Sequence, residues 1–113
     1  MTAATSQYTM VGTYQTFNII KQQLGTGNLM NWGCHKFGAS PANDIHRGQL
    51  TCKVSGWNYK QPVYLKITLT QMDLYDVELI RINTRTYKTL HSVSGVYANQ
   101  LGQIIQNWLN GGQ

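Results

Sequence analysis

The chain of 113 residues reads as an α+β domain, and three observations predict it. Val63, Leu65, Ile67 and Leu69 alternate with Tyr64, Lys66, Thr68 and Thr70, which is the period of a half-buried strand. Apolar residues recur at helical spacing near both ends of the chain. The links between the alternating segments are too short for parallel crossovers, so the strands pair as antiparallel hairpins. The predicted architecture is an antiparallel meander of four or five strands, with an N-terminal and a C-terminal helix packed on one face.

The elements follow in chain order. Residues 1–12 show no helical period, although Tyr8 to Val11 has the makings of a short strand; they are expected to form a flexible arm. A single domain then covers 13–110. Tyr14, Phe17, Ile20 and Leu24 form one stripe of a helix over about 13–24, with Thr13 as N-cap and Gly25 as the left-handed stop. Gly27-Asn28 turns the chain, and 29–37 reads as a first strand weakened by Gly33. The stretch from Gly38 to Gly48 holds Ser40-Pro41 and Asn43-Asp44 and is read as a loop. Leu50, Cys52 and Val54 begin the second strand pattern, and Tyr75, Val77 and Leu79 carry the fourth. A fifth strand is expected near 86–93, after the Asn83-Thr84-Arg85 turn. Tyr97, Leu101, Ile104, Ile105 and Trp108 then form the stripe of a helix at about 96–109, with Ser94 as candidate N-cap.

Composition narrows the chemistry. Lys+Arg 9 against Asp+Glu 4 gives a net charge of +5, and charged residues are only 12% of the chain. Four acids disfavour carboxylate-rich metal centres and two-carboxylate hydrolases. The surface is filled instead by 9 Asn, 11 Gln and 12 Thr. No apolar run is long enough for a transmembrane helix, and the first residues lack the basic and apolar segments of a secretory signal, so no membrane partner and a cytoplasmic location are expected.

Each reactive constellation has a simpler structural explanation. Cys34 and Cys52 have the option of pairing, but in a cytoplasmic chain they read more simply as small buried hydrophobes on strands. Cys34 adjoins His35, yet neighbouring strand residues point to opposite faces, so a catalytic dyad would need His46 or His91 brought in by the fold. Cys34, His35, His46 and Cys52 are zinc-ligand types without the close Cys-x-x-Cys pair that zinc sites usually contain. Gly25-Thr26-Gly27-Asn28 follows a helix, whereas phosphate-binding loops follow a strand. Asp73, Tyr75 and Asp76 form an acidic cluster that reads as a hairpin turn with solvent-facing strand residues. No nucleophile, base and orienting group stand out together, so no enzyme, cofactor or metal is predicted.

The basic residues carry more information. Lys53 and Lys66 lie on the polar faces of two neighbouring strands, with Tyr64 and the threonines at 51 and 68. The hairpin joining those strands adds Trp57, Tyr59 and Lys60. Rings for base stacking beside cations for phosphate is the layout of a nucleic-acid-binding surface. An ordinary solvated sheet face is the simpler alternative.

The segments Ile19 to Gly25, Asn28, Phe37-Gly38-Ala39, Leu65 to Leu69 with Asp73, Tyr75-Asp76-Val77 and Val96 to Leu101 resemble a family of small proteins encoded by phages and mobile elements. The resemblance spans about residues 14–109. Asn99 stands where that family more often has Asp, and its Gly-Gly-Asn turn is drawn out here to 25–28. The resemblance implies a phage or plasmid accessory protein in the cytoplasm of a bacterial host, and no site residues. The resulting expectation is a non-enzymatic accessory protein that binds nucleic acid through Lys53, Trp57, Tyr59, Lys60, Tyr64 and Lys66. The alternative is a factor that docks on a host or phage protein, such as an inhibitor of a host defence complex. A homo-oligomer is expected in either case, because a small domain of low charge density buries little surface alone.

Overall fold

The computed structural model describes residues 10–55 and 62–111, with side chains from residue 15 onward. Helix α1 spans Met10–Leu24 and a short helix α2 spans Thr26–Asn31. Five strands follow: β1 (His35–Ser40), β2 (His46–Val54), β3 (Val63–Thr70), β4 (Tyr75–Ile82) and β5 (Tyr87–Val96). A 3-10 turn at Ala98–Gln100 leads into α3 (Leu101–Gly111). All neighbouring strands pair antiparallel in the order β1-β2-β3-β4-β5, a simple meander.

One face of the sheet is apolar and the helices cover it. Leu50, Cys52, Val63, Leu65, Ile67, Val77 and Leu79 point inward and are buried with Ile20 and Leu24 of α1 and Leu101, Ile105 and Leu109 of α3. The alternation read for β3 therefore holds at every position, buried then half-buried along its whole length. Gly48 lets α1 approach β2 closely. Its φ is +142°, and a Cβ there would sit 2.7 Å from the Thr16 methyl group. Among the described residues no helix is long and apolar enough to cross a membrane.

The structure corrects several boundaries. Residues 1–9 of the expected arm lie outside the described residues, but 10–12 belong to α1, so the helix begins before Thr13 and Met10-Val11 is not strand. Gly25 stops α1 as expected, with φ +91°, and Asn28 adds a side-chain bond from Nδ2 to the carbonyl oxygen of Leu24 at 2.9 Å. The chain does not then turn into a strand. Residues 26–31 form α2, which buries Leu29 and places Trp32 in the core. Gly33 (φ +66°) makes the sharp exit, where a Cβ would lie 2.3 Å from the Ser55 carbonyl oxygen. The first strand consequently runs to Ser40, and β2 begins at His46, so most of the expected 38–48 loop is sheet.

At the C-terminus Ser94 is within β5 rather than a helix cap. The turn starts at Tyr97, whose N–H donates to Gln100 Oε1 at 3.1 Å while the Gln100 N–H donates to the Tyr97 carbonyl at 2.9 Å. Tyr97 is exposed and does not join the apolar stripe, which begins at Leu101.

Candidate nucleic-acid interface

The face of the sheet away from the helices is the open surface on which the predicted residues fall. Strand register sets their neighbours. Lys53 lies opposite Tyr64, and Thr51 opposite Lys66. All four side chains are half-buried among their strand neighbours, as an uncovered sheet face requires. Trp57, Tyr59 and Lys60 lie outside the described residues.

The face is less basic than β2 and β3 alone suggest. Glu78 lies directly opposite Lys66, and Asp76 opposite Thr68, so β4 brings two of the four acids onto it. Charge is sorted along the strands instead. At the end where β2 leads to β3 and β4 to β5 stand Lys36, Lys53, Arg81, Arg85 and Lys88, with no acid among the described residues. The opposite end carries Asp44, Asp73 and Asp76, with Arg47 paired to Asp73.

The cationic end also holds one exposed and one half-buried pair of ring and aliphatic side chain. Tyr64 faces Ile80 across β3 and β4, and Ile82 faces Tyr87 across β4 and β5. Tyr87 is 72% exposed and Ile82 39%. A groove of 450 Å³ runs between them, lined by Lys66, Glu78, Ile80, Ile82, Asn83, Arg85, Thr86 and Tyr87. In the adjoining register pair Arg81 lies directly opposite Lys88, on the helix-side face of the sheet with Val63. Like charges opposed across a ladder are destabilising unless an anion intervenes. Sequence reading found Lys53, Tyr64 and Lys66 but not Ile80, Ile82, Arg85 or Tyr87. The signal that would have found them is the pairing of Ile82 with Tyr87 on either side of a four-residue turn containing Arg85.

The remaining constellations are dispersed or structural. His46 begins β2 at the acidic end, whereas Cys34 and His35 lie where β1 starts, at the opposite end. His35 Nδ1 is 2.9 Å from the Gly33 carbonyl oxygen. His91 stacks on Trp108 at 5.2 Å, on the helix-covered side of β5. No cluster of three or more His, Cys, Asp or Glu side chains suited to a metal forms among the described residues. Burial, and then the charge of Lys66, hold the His46 imidazolium below its usual range. The Gly48 N–H donates to His46 Nδ1 at 3.0 Å, a bond that protonation of that nitrogen would forfeit. Asp73 occupies a hairpin turn with φ +62°, and Asp76 Oδ1 accepts the Gly95 N–H at 3.2 Å. The acidic cluster is thus a turn and a strand residue with ordinary partners.

No family model, curated protein or solved structure matches this chain.

Proposed function

We propose that this chain is a non-enzymatic accessory protein of phage or mobile-element origin, which binds single-stranded nucleic acid at the cationic end of its open sheet face. The sorting of charge supports this most directly. Five cations share one end of the sheet with the exposed Ile82–Tyr87 pair and the half-buried Tyr64–Ile80 pair, and the acids of the turns are kept at the other. Arg85, Lys66 and Lys53 meet phosphates, while Tyr87 offers a ring on which a base stacks. Each such stack is worth about 1–3 kcal/mol.

Anisotropy with a short labelled oligonucleotide tests this. Micromolar binding is expected at about 50 mM salt, with log K falling linearly against log salt at a slope of roughly −2 to −3 for three or four phosphates. Tyr87→Ala is expected to weaken binding roughly tenfold. Lys88→Glu is expected to stabilise the free protein by about 0.5 kcal/mol, by relieving the Arg81 pair on the other face, whereas Arg85→Glu lowers affinity. Affinity indifferent to salt, or no binding at 50 mM, refutes the nucleic-acid reading.

One observation favours a protein partner instead. Ile45 and Met72 are 81% and 79% exposed in neighbouring turns at the acidic end. Those turns are tied by a bond from Gln71 Nε2 to the Asn43 carbonyl oxygen at 3.3 Å. Exposed apolar tips of this kind suit docking on a host or phage protein. Under that reading Ile45→Asp with Met72→Asp abolishes partner capture and leaves oligonucleotide affinity unchanged.

A further inference from the structure

Cys34 and Cys52 were expected to be inert core residues, and the fold places them differently from one another. Cys52 has no exposed surface and sits in the core beneath β2. Cys34, in the lead-in to β1, is only partly buried, and its N–H is fixed to the Leu29 carbonyl oxygen at 3.0 Å. A cleft of 220 Å³ lined by Lys21, Thr26, Leu29, Met30, Cys34 and Phe37 opens onto it. The pairing of His35 with Lys53 sets the two cysteines diagonally across adjoining strands, both on the core side of the sheet. One thiol faces a cleft, and the second is sealed in the core beside it. Lys21 holds its ammonium at the cleft, 5.3 Å and 5.0 Å from the ring centroids of Phe17 and Phe37.

We propose that Cys34 and Cys52 form a thiol–disulfide exchange site for a small, carboxylate-bearing disulfide. Cys34 attacks one sulfur of the incoming R–S–S–R; its S–S bond breaks, and the departing thiolate takes the proton that Cys34 gives up. A mixed disulfide Cys34–S–S–R remains. Cys52 then attacks the Cys34 sulfur, the second R–S⁻ leaves with the Cys52 proton, and an intramolecular disulfide results. Two electrons pass from the protein dithiol to the small disulfide, which is reduced to two thiols. The division of labour has a physical basis. The Cys52 thiol beside it, as a donor, holds Cys34 below the usual thiol range against the opposing effect of burial. The same contact and its own burial push Cys52 well above that range. The attacking group is thus the accessible, more acidic thiol, and the resolving group the protected one. The cleft is smaller than the roughly 300–1,000 Å³ of sites for drug-sized ligands, so it admits one short thiol arm. Lys21 selects a negatively charged one.

The test is native oxidation of the full-length protein by oxidised glutathione, read by intact mass and peptide mapping. The wild type is expected to lose two hydrogens, to yield a linked Cys34–Cys52 peptide and to retain no glutathione. Cys52→Ala is expected to keep one glutathione on Cys34. Cys34→Ser is expected to react at least about a hundredfold more slowly, since the remaining thiol is buried. Lys21→Glu should slow the glutathione reaction roughly tenfold and leave the reaction with cationic cystamine no slower. Glutathione retained by the wild type overturns the proposal, as does oxidation seen only after unfolding in urea. If Cys52→Ala does not fold by circular dichroism, the wild-type linked peptide decides alone: its presence supports the site and its absence refutes it.

Discussion

Trp32→Ala is expected to cost about 3–5 kcal/mol, within reach of the whole stability of a domain this size. Trp32 has no exposed surface, although it sits at the end of a six-residue helix that has little stability of its own. Its ring fills the space between α2, the sheet and α3, and its Nε1–H donates to Gln106 Oε1 on α3 at 2.9 Å. Truncation leaves a cavity and removes the partner of a part-buried amide, two losses that add. Trp32→Phe keeps most of the volume and loses the bond, so it should cost only about 1–2 kcal/mol. Urea unfolding followed by circular dichroism separates the two variants. Equal losses for Ala and Phe would show that the hydrogen bond, rather than the packing, holds α2 and α3 together.

Ile67→Ala should be nearly as damaging, at about 2–5 kcal/mol. Ile67 lies on the central strand, fully buried, with Leu50 and Val77 opposite it on either side. A cavity there is walled by three strands and the core side chains packed beneath them and has little freedom to collapse. Ile67→Val removes one methylene and should cost about 0.5–1.5 kcal/mol. The midpoint should shift with an unchanged denaturant slope, since neither variant alters the surface exposed on unfolding. A loss below about 1 kcal/mol for the alanine variant would contradict the placement of this residue at the centre of the core.

The local elements with strong period were legible from residue types alone. Alternation in β3 and β4 assigns each side chain to a face without any knowledge of partners, because the strand period is two and the core takes one face. Gly25 was legible as a helix stop because it alone in that stretch accepts a positive φ after an apolar stripe. The C-terminal stripe of Leu101, Ile105 and Trp108 was legible for the same reason of spacing. Helix α2 was not. Six residues rich in Gly and Asn hold too few apolar positions to show a period, and they are helical because Leu29 and Trp32 gain burial against α1, the sheet and α3. The bounds of β1 and β2 likewise depend on pairing: residues 38–40 look like loop until β2 supplies their partners, and 46–49 until β3 supplies theirs.

The candidate surface divides in the same way. Lys53, Tyr64 and Lys66 were assigned to one face by alternation, a property of single strands. That Glu78 confronts Lys66, that Arg81 confronts Lys88, and that Ile82 meets Tyr87 beside Arg85 are matters of register between strands. Register comes from which apolar rows meet in the core and from the bulges at Leu79/Ile80 and Tyr75/Val77, and a list of residues does not contain it. The placing of Cys34 and Cys52 on adjoining strands, 18 positions apart, has the same origin. The sequence by itself determined the class of the fold and the face each strand residue takes, because periodicity is local. Only the tertiary structure decided which charges oppose, which rings line the groove and which cysteines lie on adjoining strands, because each is a relation between strands brought together by the shared core.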